Sequence, residues 1–274
     1  MPAHENNTAQ AERLPVSVQT WTAIIPVYNE KDYILKTLQS LATQTLKGAR
    51  IIVVDNGSTD GSPGLVKNFA VSHPEARIDL LHEAEPGQAA AMKKGNNAAA
   101  SDFIAICDAD TIYPDFYLER ASQMFDTADE RTVAALAFSV PSSGDKFARL
   151  KGRIASLLMP RQCHTGGYAQ TFRASALKMA GGYDRALWPY CLKDHELMHR
   201  VSKLGAIKYD YNFWCLPSDR RGDRTNVRWT LFERIIYHVS PFSKKDWFFY
   251  EFLKPRFEAR GLSELKLRAR DWEE

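Results

Sequence analysis

The stretch Phe103-Ile104-Ala105-Ile106-Cys107-Asp108-Ala109-Asp110 decides how the rest of the chain is read. Its apolar first half has the character of a buried strand. Its end is two carboxylates with only Ala109 between them. A packed core has no use for a close pair of unpaired acids. At the carboxyl end of a strand in an open α/β sheet, where ligands bind, the pair suits a hard divalent cation and the diphosphate that such a cation grips.

Upstream, short apolar runs alternate with helical periods. TAIIPVYNE (22–30) starts as a strand and ends in polar loop residues, and DYILKTLQSLATQ (32–44) repeats Ile34, Leu35, Leu38 and Leu41 at helical spacing. IIVVDNGSTDG (51–61) is β-branched through Val54 and stops in turn residues. Ser62 to Ala70 predicts a helix, IDLLHE (78–83) a strand, and GQAAAMKKGNNAAAS (87–101) an Ala-rich helix interrupted at Gly95. The alternation predicts a mostly parallel sheet with helices on both faces. Beyond Asp110 follow helical DFYLERASQMFD (115–126), a strand TVAALAFSV (132–140), helical RLKGRIASLLM (149–159) and an amphipathic KDHELMHRVSKLG (193–205).

Composition bounds the class. The chain has 274 residues, 45% hydrophobic and 25% charged, enough for one generous α/β domain with an appendage. A net charge of only +3 speaks against a nucleic-acid partner. Cys107, Cys163, Cys191 and Cys215 lie far apart without a C-x-x-C pair, as reduced cytoplasmic thiols do. Residues 1–20 have no apolar signal core and read as a flexible lead-in. No run reaches the ~18 apolar residues of a spanning helix. The expectation is a cytoplasmic protein that can still lie on the inner face of the membrane.

The first two strands end in polar loops: Pro26, Tyr28, Asn29 and Glu30, then Asp55, Asn56, Gly57 and Ser58. In a doubly wound sheet these loops line one crevice. Tyr28 could stack on a base, and Glu30 and Asp55 could accept from ribose or base. Turn and cap chemistry alone accounts for either loop singly. Two of them with the acids after Ile106 favour a ligand. No G-x-G-x-x-G follows the first strand and no Walker lysine loop is present, so neither nucleotide cradle applies.

In this order and spacing, IIPVYNE, VVDNGSTDG, the block from Glu85 to Asp110, and GGYDRALWPYCLKDHELMHRVSKLG resemble the inverting glycosyltransferases of family 2, which have the GT-A fold. The resemblance runs from about Thr22 to about Trp214. It implies donor-binding roles for Pro26, Tyr28, Glu30, Asp55, Asn56, Gly87 and Asp108, and a metal and diphosphate site at Asp108 and Asp110. The implied cofactor is Mn²⁺ or Mg²⁺. Asp194 takes the place of the catalytic base and Glu196 that of a second acid beside the acceptor. Gly166 and Gly167, followed by Arg173, fall where the family approaches its acceptor. Arg220 and Arg221, with Arg224, resemble a loop that closes over the donor.

Two positions depart from the family pattern. Asn56 replaces a second acid that reads the base, leaving uracil and guanine open. Lys193 replaces the acid before Asp194, and a cation there lowers the base's pKa. The implied reaction moves a sugar from a nucleoside diphosphate to an acceptor hydroxyl, lipid-linked or in a cell-envelope glycan. The alternatives are a binding protein or membrane-docked subunit without catalysis and, remotely, a zinc hydrolase, because His195-Glu196-Leu197-Met198-His199 spells H-E-x-x-H.

The expected domain spans 21–217, with a basic, aromatic extension over 218–274. In that extension Trp247, Phe248, Phe249, Tyr250 and Phe252 stand among Lys244, Lys245, Lys254 and Arg256. Such a mixture suits a helix packed on the domain with its lysines snorkelling, but favours peripheral contact with a membrane and its anionic headgroups, which implies a lipid-linked acceptor.

Overall fold

Residues 19–126, 131–141, 145–218 and 229–265 are described by a computed structural model. Apolar side chains fill both faces of β1 (Trp21–Val27) and β2 (Arg50–Asp55), so both strands must be covered on two sides. Alternation divides them between two cores. Trp21, Ala23, Ile25, Ile51 and Val53 face one, and Ile24, Ile52 and Val54 face the other. The first core is closed by α1 (Ile34–Ala42), α2 (Ser62–Ser72) and α4 (Tyr117–Asp126). The second is closed by α3 (Gln88–Ala98), α6 (Ala174–Met179) and α7 (Lys193–Ser202).

With β3 (Ile78–His82), β4 (Phe103–Ile106), β5 (Thr111–Ile112), β6 (Thr132–Ser139), β7 (Gln170–Arg173) and β8 (Ala206–Pro217), the sheet order is β3-β2-β1-β4-β7-β6-β8-β5. The half from β3 to β4 is parallel, as the alternation predicts. Beyond it, β7 runs antiparallel to β4 and β6. All four parallel strands therefore end at one edge, where the loops after β1 and β2 meet Asp108 and Asp110.

Helix α3 passes through Gly95 without a break, contrary to the expected interruption. A Cβ there would stand 2.4 Å from Cγ2 of Ile24, so this glycine lets the helix lie close on the sheet. Most of the aromatic tail packs on the domain. Phe248, Phe249, Phe252 and Phe257 form a third core with Trp188, Cys191 and Tyr237, leaving Trp247 at 42% exposure. A π-helical segment, Trp247–Leu253, turns these rings inward between α8 (Leu231–Val239) and α9 (Lys254–Ala259). The remaining helix, α5 (Lys146–Leu158), lies across β6 and β8. No helix among the described residues is long and apolar enough to cross a membrane.

Candidate active site

The loops after β1 and β2 are stitched together. The Asn29 N–H donates to Ser58 Oγ at 3.0 Å, the Thr59 N–H to Asn29 Oδ1 at 2.9 Å, and the Glu30 N–H to Ser62 Oγ at 2.9 Å. These bonds hold Tyr28 and Glu30, both half-buried, at one wall of the crevice. Pro26 sits within β1 opposite Val54 and shapes the strand's end from inside. Asp55 accepts from the Ser58 and Gly57 N–H groups at 3.1 and 3.3 Å and lies 3.2 Å from His82 Nδ1.

Asn56 differs from a base reader. Its amide donates to the Glu83 and Glu85 carbonyls at 3.0 and 2.7 Å and accepts from the Gly87 N–H at 2.8 Å. It organises the Glu85–Gln88 loop. Gly87 also differs from a donor contact. At φ 125 it lies under the Glu264 carboxylate, and a Cβ there would meet Oε1 at 2.6 Å.

That loop reaches the acids after β4. Gln88 Nε2 donates to Asp108 Oδ1 at 3.2 Å. Tyr113 accepts from the Asp108 N–H at 3.0 Å and donates to the Tyr168 carbonyl at 2.9 Å. Thr37 of α1 stands 2.8 and 2.9 Å from the Ala109 and Thr111 carbonyls. Ser218 donates to Asp110 twice, through Oγ to Oδ2 at 2.7 Å and through its N–H to the carbonyl at 3.0 Å. Thus α1, Tyr113 and the end of β8 fix the direction of the acidic turn. Ser218, Thr37 and Gln88 carry no sequence signal of this work, because each acts through a partner far away in the chain.

Asp194 lies on the first turn of α7. Its Oδ2 accepts from the Gly167 N–H at 2.9 Å, and its Oδ1 lies 3.1 Å from His195 Nδ1. Burial pushes this carboxyl up, but the His195 imidazole and its hydrogen bond, aided by Lys193, outweigh burial and hold it at about 2. The Lys193 effect expected from sequence is thus present but secondary. Gly166 packs on the ring of Tyr168 and lends its neighbour, rather than itself, to Asp194. Tyr183 is a buried phenol near both acids. Burial pushes its phenol well up, and the charges of Asp194 and Asp108 push it further.

Glu196 departs from an acceptor-facing role. Its side chain is 1% exposed, pairs with Arg200 at 2.8 Å and accepts from Tyr250 at 2.6 Å. Two residues on, and so roughly 200° around the helix, Glu196 points away from the direction of Asp194. The H-E-x-x-H histidines also have other partners. His195 meets Asp194, whereas His199 Nε2 meets Asp246 at 2.8 Å and stacks on Phe249. Arg173 stacks over Phe103 and Phe125, on the far side from the crevice mouth. Arg220, Arg221 and Arg224 lie outside the described residues.

Comparison with known proteins gives the family. The profile of Glycosyl transferase family 2 matches residues 22–179, and the chain belongs to that family. The succinoglycan biosynthesis protein ExoA of Rhizobium meliloti is 29% identical over 203 residues, 70% of this chain and 59% of ExoA. Among solved structures, the mannosyltransferase PcManGT of Pyrobaculum calidifontis, in complex with GDP-Man and Mn²⁺, superposes with a TM-score of 0.69 at 21% identity. That match covers 93% of this chain and 76% of PcManGT. S. aureus TarS in complex with UDP-GlcNAc gives a TM-score of 0.58 at 18% identity, covering 92% of this chain and 76% of that one. These two likenesses show the GT-A fold. The chain spans 14% to 59% of the length of the curated relatives it matches.

Proposed function

We propose that the protein transfers a sugar, with inversion, from a nucleoside diphosphate donor to an acceptor hydroxyl carried on a lipid or cell-envelope glycan. The observation that carries this reading is that Tyr113 joins the Asp108 N–H to the Tyr168 carbonyl while the neighbouring Gly167 N–H holds Asp194. In this reading base and diphosphate site face one crevice. Tyr28 and Glu30 would line the nucleoside end.

The oxygen-only donor set suits a hard cation. Among the described residues no group of three or more His, Cys, Asp or Glu is gathered as a metal cage. Asp108 and Asp110 would therefore supply the protein's share of ligands, with diphosphate and water completing the shell, as Mg²⁺ and Mn²⁺ sites at phosphates allow. A bound ion would neutralise charge on the leaving diphosphate.

The low pKa of Asp194 keeps it ionised and only weakly basic. It takes the acceptor proton late, once bond formation to the sugar has made that hydroxyl acidic. The sugar carbon passes through an oxocarbenium-like state between the entering hydroxyl and the departing diphosphate. Replacing Asp194 by Asn tests this assignment. The expected result is a loss of transfer of roughly 10²–10⁴-fold with donor binding retained; near-normal turnover would refute it.

A further inference from the structure

Most of the large apolar side chains left exposed lie on two helices. On α5, Phe147, Leu150, Ile154, Leu157 and Leu158 are all exposed, Phe147 at 78% and Leu158 at 75%. Their spacing puts them on one face. Between Lys146 and Leu158 the sequence has Lys146, Arg149, Lys151 and Arg153 and no acid. The acid just before it, Asp145, is turned back to accept from the Ala148 N–H at 2.7 Å. Lys146 and Lys151 reach solvent, while Arg149 lies over Tyr211 and Arg153 donates to the Tyr209 carbonyl.

Helix α8 repeats the arrangement. Leu231, Phe232, Ile235 and Val239 are exposed. Its acid, Glu233, is buried against Arg260, which leaves Arg234 as the charge on the outer surface. The C-terminal ends of the two helices are tied. Gln162 donates to the His238 carbonyl at 3.1 Å and its Oε1 lies 2.8 Å from His238 Nδ1, while the Cys163 N–H donates to Tyr237 Oη at 3.3 Å. Tyr237 in turn packs edge-on against His195, the partner of Asp194. The two helices thus reach the proposed base through the rings of Tyr237 and His195.

A single apolar face of this kind would fit a protein partner or a second copy. Two apolar faces with cationic borders and inward-turned acids fit an anionic, apolar-cored surface better. We infer that α5 and the outer face of α8 form a docking surface for an anionic lipid bilayer, which brings an acceptor held in that bilayer to Asp194. The consequence for the acceptor rests on the glycosyl-transfer assignment above, and the docking itself does not.

The experiment is co-sedimentation of the full chain with phosphatidylcholine vesicles, with and without phosphatidylglycerol. The expected result is partition onto anionic vesicles about tenfold stronger than onto neutral ones, weakening with salt. The pair Phe147→Ser with Leu158→Ser, and separately Lys146→Glu with Lys151→Glu, should each lower partition about tenfold at an unchanged melting temperature. Asp194→Asn should bind vesicles as the wild type does, which separates docking from catalysis. Absence of binding to anionic vesicles, or equal binding to neutral ones, would overturn the inference. So would a dimer in light scattering that the Phe147 and Leu158 substitutions dissolve.

Discussion

The Glu264 carboxylate, 1% exposed, lies 3.0 Å from the ammonium of Lys193, the residue just before Asp194. The same carboxylate accepts from the Ala89 N–H at 3.1 Å and stands 3.3 Å from Arg185 Nε. Through Arg185 it also reaches Glu85, and beneath it lies Gly87. One side chain near the end of the described chain therefore joins the donor loop to the helix that carries the proposed base.

Glu264→Ala should destabilise the protein by roughly 3 kcal/mol, because it leaves the largely buried Lys193 without its anion, while Arg185 keeps Glu85. Glu264→Gln keeps the shape and the acceptor for Ala89, so its fold should survive. In that variant the loop before α3 loosens, and the apparent KM for donor should rise more than kcat falls. Thermal melting and steady-state kinetics on the two variants check this, and wild-type values in Glu264→Ala would sink it.

Ser218→Ala removes a 2.7 Å hydrogen bond to Asp110 Oδ2 without touching the acid itself. The expected effect is weaker activation by Mn²⁺, a shift of the half-maximal concentration by about fivefold, from loss of about 1 kcal/mol of orientation. Asp110→Asn should abolish activation. A metal titration of transfer rate distinguishes the two, and an unchanged curve for Ser218→Ala would show that Asp110 needs no such support.

Burial lowers the pKa of His199 below its ordinary 6.5, with Asp246 opposing the shift. His164 and His238 are lowered for the same first reason. With a depressed folded-state pKa, the unfolded chain binds more protons as pH falls below 6.5, so stability drops in that direction. It should be fully present above 6.5 and decline as pH falls below that value. Melting temperature against pH measures the slope, which His199→Gln should flatten. A slope of the opposite sign would contradict the burial assigned to these rings.

Gly95→Ala should cost about 1–3 kcal/mol by overpacking, although alanine is the better helix former. The added Cβ meets Ile24 at 2.4 Å and Val54 at 3.2 Å. Pairing it with Ile24→Leu, which has no Cγ2 branch at Cβ, should recover part of the loss. Denaturant unfolding of the single and double variants checks this, and a stabilised Gly95→Ala would refute the close packing.

Much of the fold was legible because its parallel half is built from strands whose two faces are both buried. Runs such as Ile51–Val54 cannot be anything else in a soluble α/β sheet. The acids Asp108 and Asp110 were legible for the complementary reason, as charges that no core tolerates. The fate of Asn56, Gly87 and Glu196 was not. Each has the residue type that a ligand contact wants, yet each is engaged by a partner that only folding brings near: the Glu83–Glu85 carbonyls, Glu264, and Arg200 with Tyr250. The tail shows the same limit. Its aromatic and basic letters suit both a membrane and a core, and folding packs Phe248, Phe249, Phe252 and Phe257 against Trp188.

What the sequence determined by itself is therefore the order of elements, the edge at which the acidic turn emerges, and the family to which these motifs belong. Periodicity and the cost of burying charge are local properties, readable from one segment at a time. What the tertiary structure decided is which polar groups are still able to meet a ligand. That depends on pairings such as Lys193 with Glu264, whose members lie far apart in the chain and whose attraction exists only once the chain has closed on itself.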